Sequence, residues 1–233
     1  MRILFCITLL AFCGLTGSLS AQTVETVQAA PAVNHFQGDI DAIRRYDQIY
    51  TPPANPILFI GSSSIVKWHD LERTFSNYVV MNRGFGGSVT NDIIYFAKDI
   101  IFPYHPRQIV IYVGDNDLPQ EGATADTILN RFKNLYALIR SQLPQVPIAY
   151  ISIKPSPSRA VFLPKAMAAN KLIREFLEKE ANTKFIDIYT PMLDDQNNPR
   201  KELFLGDMLH MNSQGYDIWR KAVEPVLVPL NQQ

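Results

Sequence analysis

The stretch "LFIGSSSIVKW", residues 58–68, runs through apolar residues, breaks at one glycine and three consecutive serines, and then turns apolar again. Apolar residues at consecutive positions are what a strand covered on both faces requires. The Gly-Ser break marks the point where that strand gives way to a helix. A serine there has its hydroxyl at the mouth of a sheet and its N–H at a helix N-terminus, where negative charge is favoured. The same serine is also a common helix cap, so position alone does not choose between a chemical and a structural role.

That strand belongs to the first of five such runs. They are "ILFIG" (57–61), "YVVMN" (78–82), "QIVIYVG" (108–114), "PIAYISI" (147–153) and "KFIDIY" (184–189). Between them lie stripes of helical period. Ile128, Phe132, Leu135 and Ile139 form one that Thr124 can cap; Ile93, Phe96, Ala97, Ile100 and Ile101 form another, ended by Pro103; Ala169, Ile173, Phe176 and Leu177 form a third. A last helix starts near Asn212 or Ser213 and carries Ile218, Trp219, Ala222 and Val223. This alternation predicts a three-layer α/β/α sandwich around a five-stranded parallel sheet, with functional loops at the carboxyl ends of the strands. Residues 22–55 read as a lead-in that includes a short helix over 38–50. Residues 22–233 read as a single domain. The long connection "KPSPSRAVFLPK" (154–165) is a candidate pocket wall, in which Lys154 and Arg159 are either supports for a bound anion or solvated loop cations.

Composition narrows the partners. Lys+Arg and Asp+Glu both number 22, which leaves no net field to recruit nucleic acid or an anionic membrane. The opening "MRILFCITLLAFCGLTGSLSAQ" has one basic residue, an apolar run too short to span a membrane, and then small residues. That layout predicts a signal peptide over residues 1–21 and a secreted or periplasmic mature protein with no membrane span after cleavage. Both cysteines, Cys6 and Cys13, fall inside the leader, so disulfide, thiolate and zinc-cysteine chemistry are not expected in the mature chain.

A nucleophilic serine needs a base, and there are four histidines. His35 lies in the lead-in and His105 in the turn "PYHPR". His69 is read on the helix after the serines, where six residues of rise put it roughly 9 Å along the axis from Ser63 and out of easy reach. His210 differs, because in "LGDMLHMNSQGY" it follows Asp207 by three residues. A single turn can then bring the carboxylate to Nδ1 and leave Nε2 free to accept a proton, although a capped turn would have the same spacing. Donors for an oxyanion are available in "NRGFGGSVTND" after the second strand and at Asn116 in "VGDND" after the third. Asp115 and Asp117 are weak grounds for a hard cation, and no metal or cofactor is expected.

These pieces, Gly-x-Ser, a Gly-rich turn after Asn, Gly-x-Asn-Asp and Asp-x-x-His, occur in the order found in the SGNH (GDSL-type) hydrolases, and the sequence resembles that family from "FIGSSSI" to "DMLHMNSQGY". The resemblance implies a flavodoxin-like SGNH fold and an ester hydrolase with Ser63 as nucleophile. It assigns Gly87, Asn116 and the Ser63 N–H to the oxyanion hole, with Asp207 orienting His210. Ser62 stands where the family usually has Asp, Ser64 where it has Leu, and Asp115 where Thr or Glu is common. The expected substrate is a small-molecule or carbohydrate ester with a short acyl group. Lysophospholipase or thioesterase activity, or a non-catalytic glycan- or anion-binding module, are the alternatives. An α/β-hydrolase elbow fits less well, since Ile65 replaces its second glycine.

Overall fold

Each of the five apolar runs forms a strand in the computed structural model, which describes residues 34–230; the segment read as a signal peptide lies outside the described residues. The strands are β1 (Ile57–Gly61), β2 (Val80–Asn82), β3 (Gln108–Tyr112), β4 (Ile148–Ile151) and β5 (Thr183–Ile186). They pair in parallel in the order β2-β1-β3-β4-β5. The helices are α1 (Gln37–Ile49), α2 (Ser63–Val66), α3 (Leu71–Thr74), α4 (Thr90–Tyr95), α5 (Ala97–Ile100), α6 (Ala125–Gln142), α7 (Leu163–Leu177) and α8 (Ser213–Val223).

Alternate strand residues feed two separate cores. Leu58, Ile60, Ile109, Ile111 and Tyr150 pack with residues of α1 and α4–α7 on one face. Ile57, Phe59, Val110, Tyr112 and Ile151 pack with Trp68, Leu71 and Trp219 on the other. Burial on both faces is what makes the central strands apolar at every position, and β1 and β3 are buried along their whole length. The strand order reverses between β1 and β3, and in an open parallel sheet the crevice at that reversal is where ligands bind.

Three local expectations change. The segment after the serines is not one helix: α2 is a single turn, and α3 starts separately at Leu71. His69 lies exposed in the turn between them, so distance along a helix axis does not describe it. The stripe over 93–101 is interrupted at Phe96, whose φ of −95° and ψ of 8° end α4 before α5 begins. All five apolar positions are nonetheless buried, and the Phe96 ring packs edge-on against Phe85. Finally, β5 is an edge strand with only Ile186 fully buried, and it ends early. The Ser152 hydroxyl accepts the N–H groups of Ile188 and Tyr189 at 3.0 and 3.1 Å and draws the chain off the sheet.

Candidate active site

The carboxyl end of β1 is shaped by a close approach. Gly61 has φ +142°, and a Cβ there would lie 1.9 Å from the Tyr112 carbonyl oxygen, so only glycine lets the chain turn beside β3. The Ser62 N–H donates to that carbonyl at 3.2 Å, and α2 starts at Ser63. Two partners from distant elements fix this turn. Asn82 Nδ2, at the end of β2, donates to the Ile65 carbonyl at 2.7 Å, and Tyr216 of α8 donates to the Ser64 carbonyl at 2.9 Å.

The three serines are not equivalent. Ser62 and Ser64 are buried, at 2% and 1% exposure, whereas Ser63 is partly open. Ser63 Oγ lies 3.0 Å from His210 Nε2, and His210 Nδ1 lies 2.6 Å from Asp207 Oδ2. A carboxylate only accepts, so Nδ1 carries the proton and Nε2 faces the serine as an acceptor.

Asp207 and His210 sit in a reversal closed by the His210 carbonyl, which accepts from Leu205 N–H at 2.7 Å. Its tightest point is Met208, a non-glycine residue with φ +54°. Asp207 Oδ1 accepts the N–H groups of Leu209 and His210 at 3.0 and 2.9 Å. The His210 ring and these two N–H groups hold the Asp207 carboxyl well below the usual carboxylate range. Asn212 then caps α8 by accepting from Gln214 and Gly215.

The donors predicted for an oxyanion lie on the loops after β2 and β3. A Cβ on Gly86 would approach the Ser63 Cβ to 4.0 Å, which puts the glycine turn beside the serine. Gly87 has φ +81° and is exposed, and neither its N–H nor that of Ser63 donates to a backbone carbonyl among the described residues. Asn116 Nδ2 donates to the Ser88 carbonyl at 3.0 Å, linking the two loops.

The aspartates flanking Asn116 point to opposite neighbours. Asp117 accepts from Thr90 N and Oγ1 and pairs with Arg131 at 2.7 Å. Asp115 pairs with Lys154 and accepts from the Tyr112 hydroxyl at 3.3 Å; burial raises the Tyr112 phenol well above its usual range, so it remains a donor. Among the described residues no cluster of His, Cys, Asp or Glu has a metal-binding arrangement. Lys154 is not a solvated loop cation, because it is 1% exposed and its charge is taken up by Asp115. A lysine directly after the apolar run 147–153, opposite an aspartate that directly follows the run of the adjacent strand, was the signal for this pair. Trp68 and Tyr112 are core residues.

A model of the GDSL-like lipase/acylhydrolase family matches residues 61–218, more than half of the chain. The chain belongs to that family. As a GDSL-type acylhydrolase it is an enzyme that hydrolyses ester bonds, with small-molecule esters as its class of substrate. No curated protein matches the sequence. Solved structures share its fold. One from Streptococcus pneumonia, provisionally described as a platelet activating factor, is 21% identical with a TM-score of 0.72 over 82% of this chain and 92% of that one. A GDSL-like lipase from Bacteroides thetaiotaomicron is 16% identical with a TM-score of 0.68, covering 81% and 96%. A variant of an acetyl-xylooligosaccharide esterase from Geobacillus Stearmophilus is 15% identical with a TM-score of 0.59, covering 76% and 95%. No helix among the described residues of this acylhydrolase is long and apolar enough to cross a membrane.

Proposed function

We propose that this acylhydrolase is an exported serine esterase that removes short acyl groups, acetyl above all, from carbohydrates or other small alcohols. The observation that carries the reading is the unbroken contact chain from Ser63 Oγ to His210 Nε2 at 3.0 Å and from His210 Nδ1 to Asp207 at 2.6 Å. His210 takes the Ser63 proton as the hydroxyl oxygen attacks the ester carbonyl. Asp207 stabilises the imidazolium that results. The Ser63 and Gly87 N–H groups and the Asn116 amide receive the negative charge on the tetrahedral oxygen. The imidazolium then protonates the leaving alcohol. Water, deprotonated by the same histidine, releases the acid and restores the serine.

The preference for a short acyl group is supported by the glycine turn beside Ser63 and by the acetyl esterases among proteins of this fold. Export is supported by the layout of residues 1–21. The test is a panel of acetylated oligosaccharides, lysophospholipids and acyl thioesters, with Ser63→Ala as the blank. Turnover of the acetylated sugars that disappears in Ser63→Ala fits the reading. Preferential turnover of lysophospholipid or thioester would overturn the substrate assignment, and hydrolysis surviving in Ser63→Ala would overturn the mechanism.

A further inference from the structure

The long connection between β4 and α7 touches both halves of the site. Its Ser158 N–H donates to the Met208 carbonyl at 3.0 Å, next to Asp207, and its Arg159 Nη2 donates to Asn116 Oδ1 at 3.2 Å. The segment leading into this connection is anchored, since Asn170 of α7 bonds both the N–H and the carbonyl of Ile153. Arg159 N–H in turn donates to the Ser156 carbonyl at 2.9 Å. The Arg159 side chain is 18% exposed, so it is held in a wall and does not wave in solvent.

Resting on the proposed role of Asn116 as an oxyanion donor, we infer that Arg159 is the positioning residue of the oxyanion hole. An asparagine amide can be turned over with little change of shape, which exchanges its donor for its acceptor. In the observed orientation Nδ2 donates to the Ser88 carbonyl and Oδ1 accepts from Arg159. The reversed amide would set oxygen against the Ser88 carbonyl oxygen and NH2 against the guanidinium, two mismatches at once. The orientation is therefore fixed from both ends, and the second N–H of Nδ2 stays available for the substrate oxygen. With Ser88 alone the amide has one restraint, which a rotation of the side chain can exchange for solvent.

The charge balance behind Asn116 acts in the same direction. Lys154 and Tyr112 both serve Asp115 Oδ2, and Lys154 neutralises the carboxylate. Asp115 Oδ1 is buried without a hydrogen-bond partner and stands 3.8 Å from Arg159 Nε. That separation attracts and aims the guanidinium without engaging it in a close pair. Two cations against one carboxylate leave one net positive charge beside the amide, and donation from a cation to Oδ1 polarises Nδ2–H toward a negative acceptor.

The test is a double-mutant cycle on kcat and KM for a short-chain ester, using Arg159→Met, Asn116→Ala and the double variant. Losing an oxyanion donor outright lowers turnover by roughly 10²–10³, and losing its alignment should remove part of that. Arg159→Met is expected to lower kcat about 10-fold with KM within about 2-fold, and to have no further effect in the Asn116→Ala background. Arg159→Lys, which keeps the charge and one donor, should recover part of kcat. It also carries the test if the methionine variant does not fold. A loss of kcat that persists undiminished in Asn116→Ala overturns the inference, as does a rise in KM with kcat unchanged, which would make Arg159 a substrate-binding group. If Arg159→Lys alone is usable, full loss of kcat or none overturns it. A normal kcat in Asn116→Ala removes the oxyanion reading itself, whereas Asn116→Ala at its expected loss with additive Arg159 effects removes only the role of Arg159.

Discussion

The two sides of the site are built by opposite means. Asp207 and His210 are three residues apart in one tight reversal, half the Asp207 side chain is exposed, and their contact is local. Asn116 sits between two aspartates that are 4% and 0% exposed, each gripped by side chains from other elements. The acid–base side depends on backbone geometry and little on burial. The proposed oxyanion side rests on a buried charge network of Asp115–Lys154 and Asp117–Arg131, which also ties the loop after β3 to other elements. Substitutions should therefore separate activity from stability on the first side and couple them on the second.

His210→Ala should give the largest effect on rate and almost none on fold. Loss of a catalytic histidine in a serine triad lowers kcat by roughly 10⁴–10⁶. Because no buried partner is left unsatisfied, Tm should move by less than about 2 °C, a change read by calorimetry alongside steady-state kinetics. A large fall in Tm would show that the reversal is part of the folding core and would break the contrast.

Lys154→Met probes the other side. It removes the close partner of a buried carboxylate and leaves only Arg159 at 3.8 Å; breaking a buried pair typically costs about 3–5 kcal/mol. At roughly 2–4 °C per kcal/mol for a domain of this size, Tm should fall on the order of 10 °C. Adding Asp115→Asn removes the stranded charge and should recover most of the loss. Failure of the second substitution to restore Tm would mean that Lys154 acts through packing of its stem.

The difference also governs what could be read in advance. Asp-x-x-His is a short-range pattern, and its spacing alone limits the geometry to a turn. The central strands β1, β3 and β4 were legible because both of their faces are covered, so burial writes itself into consecutive residues. Lys154 was misread because it pairs with a residue 39 positions away, and a lysine in a proline-rich connection has no local mark of burial. The breaks at Phe96 and after Val66 were invisible for another reason. Apolar spacing records which residues reach the core, and a single non-helical residue leaves that spacing intact. Among Ser62, Ser63 and Ser64, order in the chain could not separate the partly open hydroxyl from its buried neighbours.

The smallest expected effect concerns pH. Asp207 is held below the ordinary carboxylate range by the His210 ring and two N–H groups, so its contribution to stability is complete above the unfolded-state value. The Tm difference between the protein and Asp207→Asn should be flat above about pH 5. It should narrow as pH falls below about 4 and through the depressed folded-state value. Because the side chain is half exposed, the difference will be modest and will shrink with salt. A difference that widens on acidification would contradict the hydrogen-bond arrangement.

Activation by His210 should single out one hydroxyl of the serine triplet. Fluorophosphonate labelling followed by peptide mass spectrometry identifies that hydroxyl. A single adduct is expected on Ser63, and it should disappear in His210→Ala. An adduct on Ser62 or Ser64, or undiminished labelling of Ser63 without the histidine, would contradict that expectation.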